Sequence, residues 1–334
     1  MAAVAQPTKK NYITALKEAL MEEMSRNNDM VCIGEDIGIL GSAFGTTEGL
    51  QEKFGASRVI DAPISEAAIV GTSVGMALNG KTVMIEMQFI DFISCGFDQI
   101  VNMMATYHYR TAGDASMPIV IRGPAGAYSG GALYHSQMNE SWFLNSPGLK
   151  VVCPSTPYDA KGLLKAALRD PNPVIFYEIK NLYRLPKIEE ELPEEDYIVP
   201  LGEAKIRREG KDITIASYGQ NVYHCLDAAA HLEKQGYEAE VIDLRSLNPL
   251  DEKTLVESVA KTNRFLMVNE APKTCGFAGD VVARMSDIAF EYLDAPPLRI
   301  TRMDTPVPWA KSLETHVLPS VKDIADTAHK LITY

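Results

Sequence analysis

Four short stretches place chemically capable side chains directly after apolar, β-branched runs: "GEDIG" (34–38), "APISE" (62–66), "QFIDF" (88–92) and the glycine loop "GPAGAYSGGALYHSQ" (123–137). Glu66 opens a helical pattern, "EAAIVGTSVGMALNG", whose small inward positions let a backbone or a flat ligand come close. Two readings of it stand. Ser65 caps the helix and Glu66 complements its N-terminus, or Glu66 is a functional carboxylate whose pKa burial would raise and the helix end would lower. Gln88 is a polar residue at the end of an apolar strand, and Phe89 and Phe92 beside it serve either as core or as a platform for a heteroaromatic ring. His135 is either an ordinary loop histidine or an imidazole able to take and give a proton near neutral pH. The loop glycines do not match the G-x-G-x-x-G spacing, so phosphate binding there has weak support. The other five histidines are scattered without the spacing of metal ligands, and no nucleophile elbow or Walker loop occurs.

Elements that would hold these residues can be read from the alternation of buried-strand and helix patterns. Strands are expected at 30–34, 82–87, 117–122, 149–154 and 173–178, with helices at 12–26, 66–79, 92–110 and 157–169. After a Pro-bounded acidic stretch at 184–202, strands at 212–219, 238–244, 264–270 and 298–303 alternate with helices near 220–235, 251–261, 277–293 and 319–332. The expected fold class is α/β, with two domains, 1–185 and 201–334, joined by an acidic linker at 186–200. Each domain would be a mainly parallel sheet with helices on both faces. In such sheets ligands lie beyond the carboxyl ends of the strands, which puts all four stretches on one rim.

Charge narrows the partners. Thirty-two basic against 44 acidic residues give a net charge of −12, which disfavours nucleic acid and anionic membrane and leaves small molecules and other proteins. No apolar run reaches the ~18 residues of a membrane span, and the first eleven residues lack the apolar core of a signal peptide. The five cysteines show no C-x-x-C spacing and read as reduced packing residues, which suits a cytoplasm, the favoured location, or a mitochondrial matrix.

Taken together, "IGEDIG", "RVIDAPISEAAIVGTSVGMAL", "EMQFIDFISCGFDQIVNMMATYHYRTAG", "GALYHSQMNESWFLNSPGLKVVCPSTPYDAKGLLKAALRDPNPVIFYE" and "EVIDLRSLNPLDEKTLVESVAKTNRFLMVNEAPKTCGFAGDV" resemble the beta subunit of the thiamine-diphosphate-dependent decarboxylating component of a 2-oxo acid dehydrogenase complex. The resemblance runs from about residue 10 to the end. It implies a transketolase-like pyrimidine-binding domain followed by a transketolase C-terminal-like domain. It also implies that Glu66 hydrogen-bonds a pyrimidine nitrogen of thiamine diphosphate and that Phe92 stacks on the aminopyrimidine. Gln88 would line the pocket, Glu35 and Ile64 would lie by the cofactor, and His135 would be the catalytic loop histidine of acyl transfer to a lipoyl group.

The Gly-Asp-Gly signature that binds Mg²⁺ and the diphosphate is missing, with "FAGDVV" the nearest approach. The resemblance therefore implies a separate alpha subunit that holds Mg²⁺ and the diphosphate, an α2β2 heterotetramer, and a lipoyl acyltransferase as the next partner. It further implies K⁺ held by backbone carbonyls around Ile119, Ala167, Asp170 and Asn172. Pyruvate is the expected substrate, ahead of branched-chain 2-oxo acids and acetoin. A self-sufficient transketolase-type enzyme, such as a deoxyxylulose phosphate synthase, is disfavoured by the missing signature and the short chain, and a non-enzymatic binding subunit by the presence of Glu66, Phe92 and His135.

Overall fold

The computed structural model describes residues 9–334. The reading of the amino-terminal segment as free of a signal sequence falls largely on residues 1–8, outside the described residues.

Seven strands form the first sheet. In chain order these are β1 (Met30–Gly34), β2 (Val59–Asp61), β3 (Thr82–Glu86), β4 (Ile119–Ala125), β5 (Lys150–Val152) and β6 (Val174–Ile179), and the seventh comes from much later in the chain. The second sheet is built from β7 (Lys205–Arg208), β8 (Ile213–Ser217), β9 (Ala239–Asp243), β11 (Phe265–Pro272) and β12 (Leu298–Arg302), whereas β10 (Ser246–Asn248) crosses over to pair antiparallel with β5. The orders are β10-β5-β6-β4-β3-β1-β2 and β12-β11-β8-β9-β7. Apart from β10 and the antiparallel edge strand β7, every pairing is parallel, as buried β-branched runs with helical crossovers require.

The largest apolar cluster does not stop between the sheets. It runs from Tyr12, Leu16 and Leu20 through Val120 and Phe176 to Leu247, Met267 and Phe277, so the two halves share a packed interface. Ionic contacts reinforce it: Asp159, on the helix Pro157–Arg169, takes Arg245 Nη1 at 2.9 Å and also pairs with Arg207, which binds Asp243 at 2.8 Å. The acidic stretch between the halves is folded against the first sheet's helices. Asp196 pairs with Lys165 at 2.5 Å and Arg169 at 2.8 Å, Val199 is buried, and Glu190 forms a backbone bridge to Lys10.

Two departures from the expected elements matter. The span 92–110 is not one α-helix but a 3₁₀ helix (Ile90–Gly96), a π-turn segment (Gln99–Met104) and a short α-helix (Tyr107–Arg110). Packing accounts for the tight start, since a Cβ on Gly96 would lie 2.9 Å from Val70 Cγ2 of the helix Glu66–Leu78, and that approach holds residues 90–96 close to the start of that helix. Secondly, β10 was hidden inside "DLRSLNPL", where only tertiary pairing makes three residues a strand.

At the centre of the first sheet sits a buried ion cluster. Arg122 on β4 is 1% exposed and is pinned between Glu86 at the end of β3 and Glu178 on β6, with a 2.6 Å bond from its Nη2 to Glu178 Oε2. Tyr183 donates to the same Glu178 oxygen at 2.6 Å. Burial pushes the Glu86 carboxyl up and the Arg122 charge opposes it, so the cluster stays ionic only as a unit. Arg122→Met should cost about 3–5 kcal/mol, because two buried carboxylates are left without a cation. Urea denaturation followed by circular dichroism checks this, and an unchanged midpoint would show that the cluster is energetically idle.

Candidate functional site

The strand ends of the first sheet deliver the four stretches to one rim. Glu35 follows β1 and is 9% exposed; burial, then the charges of Glu66 and Asp36, push its carboxyl above the ordinary range. The charge of Glu66 thus reaches the Glu35 carboxyl across neighbouring strand ends. Glu66 is the first residue of the helix Glu66–Leu78 and is half-buried, while Ile64 just before it is 83% exposed. Ser65 stands at the cap position with φ −166° and ψ 77° but makes no capping hydrogen bond. The capping reading of Ser65 is therefore corrected: its backbone is turned away from the geometry that aims the hydroxyl at the first-turn N–H groups.

Gln88 follows β3, half-buried, and its Nε2 reaches Asp36 Oδ2 at 3.5 Å, which draws the β1 and β3 ends together. Phe89 and Phe92 both meet His135 edge-on, at 4.3 Å and 5.8 Å between ring centroids. Phe89 also packs against Phe44 at 5.8 Å, and both Phe89 and Phe92 are half-buried. Glu35, Glu66, Gln88, Phe92 and His135 accordingly share one rim of the sheet.

The backbone around His135 is held from several sides. Asp91 Oδ1 accepts from the N–H groups of Ser136 (3.1 Å) and Gln137 (3.0 Å), and the Lys180 ammonium donates to the carbonyls of His135 and Gly126. From the second half, Glu270 accepts the Ala127 N–H at 2.8 Å, and the Tyr128 hydroxyl donates to Pro319 O at 3.0 Å. Asp91, Lys180, Glu270 and Asp36 were missed in the sequence. A charged residue closing an apolar strand run, as in "FLMVNE", was the available signal for Glu270.

Ile119, Ala167, Asp170 and Asn172 lie apart from this rim. Ile119 and Ala167 are buried, the Asp170 N–H donates to Ala167 O at 3.2 Å, and the Asp170 carboxylate binds Lys150 and the Asn172 N–H (2.9 Å). Among the described residues no group of three or more His, Cys, Asp or Glu side chains could hold a metal.

Residues 8–186 match the transketolase pyrimidine-binding domain and residues 202–324 the transketolase C-terminal domain. The 2-oxoisovalerate dehydrogenase subunit beta of Bacillus subtilis is 46% identical over 309 residues, covering 92% of this chain and 94% of that protein. The chain belongs to the transketolase-like family of 2-oxo acid dehydrogenase E1 beta subunits. The pyruvate dehydrogenase E1 component subunit beta of the same bacterium is 42% identical over 96% of this chain and 98% of that protein. The beta subunit of the acetoin:2,6-dichlorophenolindophenol oxidoreductase of Cupriavidus necator is 45% identical over 95% of each. A solved split-gene transketolase, described as an inactive beta4 tetramer, superposes with a TM-score of 0.78 at 22% identity, over 96% of this chain and 97% of that one, a likeness of fold. E1 beta subunits belong to multi-subunit enzymes that depend on thiamine diphosphate. They include bacterial and mitochondrial members, and no helix among the described residues is long and apolar enough to cross a membrane.

In this beta subunit Glu270 is 3% exposed, and burial raises its carboxyl to about 7 despite the Ala127 N–H and the nearby charges of Lys180 and Arg302. A carboxyl whose folded pKa lies above its unfolded value binds protons more readily when folded. Its contribution to stability is full below about 4.5 and is lost as pH rises through about 7. Glu270→Gln should remove that decline, so the variant gains on wild type by on the order of 3 kcal/mol between pH 4.5 and 8. Melting temperatures of the two proteins across this range test the sign, and parallel curves would refute it.

Proposed function

We propose that this beta subunit supplies the pyrimidine side of a thiamine diphosphate site for oxidative decarboxylation of a short 2-oxo acid, with transfer of the acyl group to a lipoyl group of an acyltransferase. The observation that carries this reading is the single rim on which the Glu35 and Glu66 carboxyls and the half-buried Phe92 lie with His135. A carboxylate to share a proton with a ring nitrogen, next to an aromatic face, suits the heterocyclic end of the cofactor. Among the described residues nothing comparable suits Mg²⁺ or a diphosphate, and these are assigned to an alpha subunit within an α2β2 heterotetramer.

When bound, thiamine diphosphate supplies the acidic carbon that adds to the 2-oxo acid and takes up the electron pair released with carbon dioxide. Glu66 holds a proton against a pyrimidine nitrogen from the helix start. Glu35, buried and crowded by Glu66 and Asp36, binds a proton more readily than an exposed carboxyl. Phe92 orients the ring by stacking, Gln88 and Ile64 line the approach, and a ring nitrogen of His135 delivers a proton to the departing lipoyl sulfur. K⁺ on the carbonyls of Ile119, Ala167, Asp170 and Asn172, a domain division at 1–185 and 201–334, and a cytoplasmic location complete the proposal.

Pyruvate is the proposed substrate from the carboxyl-terminal segments, while the 46% identity to a 2-oxoisovalerate subunit favours a second reading, a branched-chain 2-oxo acid. Decarboxylation rates of the enzyme assembled with its alpha partner, on pyruvate and on 3-methyl-2-oxobutanoate, decide between them. A faster rate on pyruvate is expected, and the reverse order transfers the assignment.

Glu66→Gln should leave assembly intact and slow exchange of the thiazolium proton by about 10²–10⁴, the usual scale of acid–base assistance. Exchange measured by quenched-flow NMR on the assembled enzyme checks the role, and a wild-type rate would remove Glu66 from it.

A further inference from the structure

The loop 126–137 is closed at its base from within. Gly126 N–H donates to Gln137 O at 3.3 Å, and the Lys180 ammonium joins the carbonyl of Gly126 to that of His135. Lys180 begins the short 3₁₀ turn that follows β6, so its stem rises from the end of a fully buried strand. Between these anchors the loop folds tightly on itself. A Cβ on Gly131 would stand 2.7 Å from both the His135 carbonyl oxygen and Ser136 Oγ, so that glycine is required for the fold of the turn.

Burial disfavours the ammonium of Lys180, and the carboxylates of Asp91, Glu270 and Glu314 oppose that loss. Those carboxylates are themselves spent on the loop. Asp91 binds Ser136 and Gln137, Glu270 binds Ala127, and Glu314 accepts from Gly130 N at 3.3 Å. The cation and the three anions thus hold opposite polarities of one backbone, carbonyls by the former and N–H groups by the latter. Removing the cation frees the two carbonyls flanking the loop, and the imidazole set between them loses its fixed approach to Phe89 and Phe92.

We propose that Lys180 is the positioning residue of His135, tying the carbonyls of Gly126 and His135 so that the imidazole is held at the rim. The inference rests on the reading of His135 as the proton carrier of acyl transfer. An imidazole displaced by about 1 Å is enough to lower a proton-transfer step as much as a hundredfold.

The test uses the enzyme co-expressed with its alpha partner and loaded with thiamine diphosphate and Mg²⁺. Lys180→Met should lower reductive acylation of a lipoyl domain by about ten- to a hundredfold, with a smaller loss in decarboxylation coupled to an artificial oxidant. Chymotrypsin should cut faster after Tyr134, which is 63% exposed, because the loop has lost its internal tie. Lys180→Arg, which can still donate to two carbonyls, should recover most of the acylation. The double variant Lys180→Met/His135→Ala should be no slower than His135→Ala, since a residue that acts through another has no separate effect once that one is gone.

Multiplied losses in the double variant, equal losses in the two assays, or an unchanged cleavage rate would each overturn the proposal while leaving the His135 reading in place. If His135→Ala alone acylates at the wild-type rate, that reading falls and the positioning role falls with it. Should Lys180→Met fail to assemble, Lys180→Gln, which keeps one donor group, is carried through the same cycle with the same deciding outcomes.

Discussion

The site depends on keeping Arg122 charged and paired inside the first sheet. Three adjacent parallel strands each bring one member of the cluster: Glu86 at the end of β3, Arg122 at the middle of β4 and Glu178 near the end of β6. A buried cation between two carboxylates tolerates little displacement, because any gap leaves a charge without its partner in a medium that cannot solvate it. The register of the strands is fixed there, and the register decides where Gln88, Phe89, Gly126 and Lys180 emerge. Tyr183 and Thr46, which hydrogen-bond Glu178 and Glu86, extend that control to the turns above.

Above the ion cluster lies a second, looser polar layer that belongs to both halves of the chain. Glu140 is fully buried, accepts from Tyr218 at 2.6 Å, and Tyr218 in turn receives Asn269 at 3.0 Å. Burial raises the carboxyls of Asp91, Glu140 and Glu270 alike. The loop with His135 rests on it. Its conformation is thus a joint product of the two sheets, whereas Glu35, Glu66 and Phe92 are set by the first sheet alone.

Glu66, Gln88, Phe92 and His135 were legible because each sits in sequence just beyond an apolar strand run, where open α/β sheets present ligand-binding groups. The strands β1, β3, β6, β8 and β9 were legible for a related reason: both faces of a parallel sheet are covered, so the runs are mainly apolar and β-branched. The segment 90–110 was not, since its apolar spacing suits a helix and only the contact of Gly96 with Val70 tightens its start. Lys180 was not legible either. Nothing in "EIKNLYR" indicates that two carbonyls 54 and 45 residues earlier in the chain would close on its ammonium.

By itself the sequence determined the fold class, the rim on which chemistry is possible and the types of residue placed there, because these follow from local periodicity and from which side chains end each strand. The tertiary structure alone decided which charges are neutralised and by whom. Arg122 finds its partners 36 and 56 residues away, β10 pairs with a strand nearly a hundred residues earlier, and the histidine loop is gripped from a domain that the chain has yet to form when it passes. Electrostatic pairing and strand addition depend on distance in space, which local pattern does not encode.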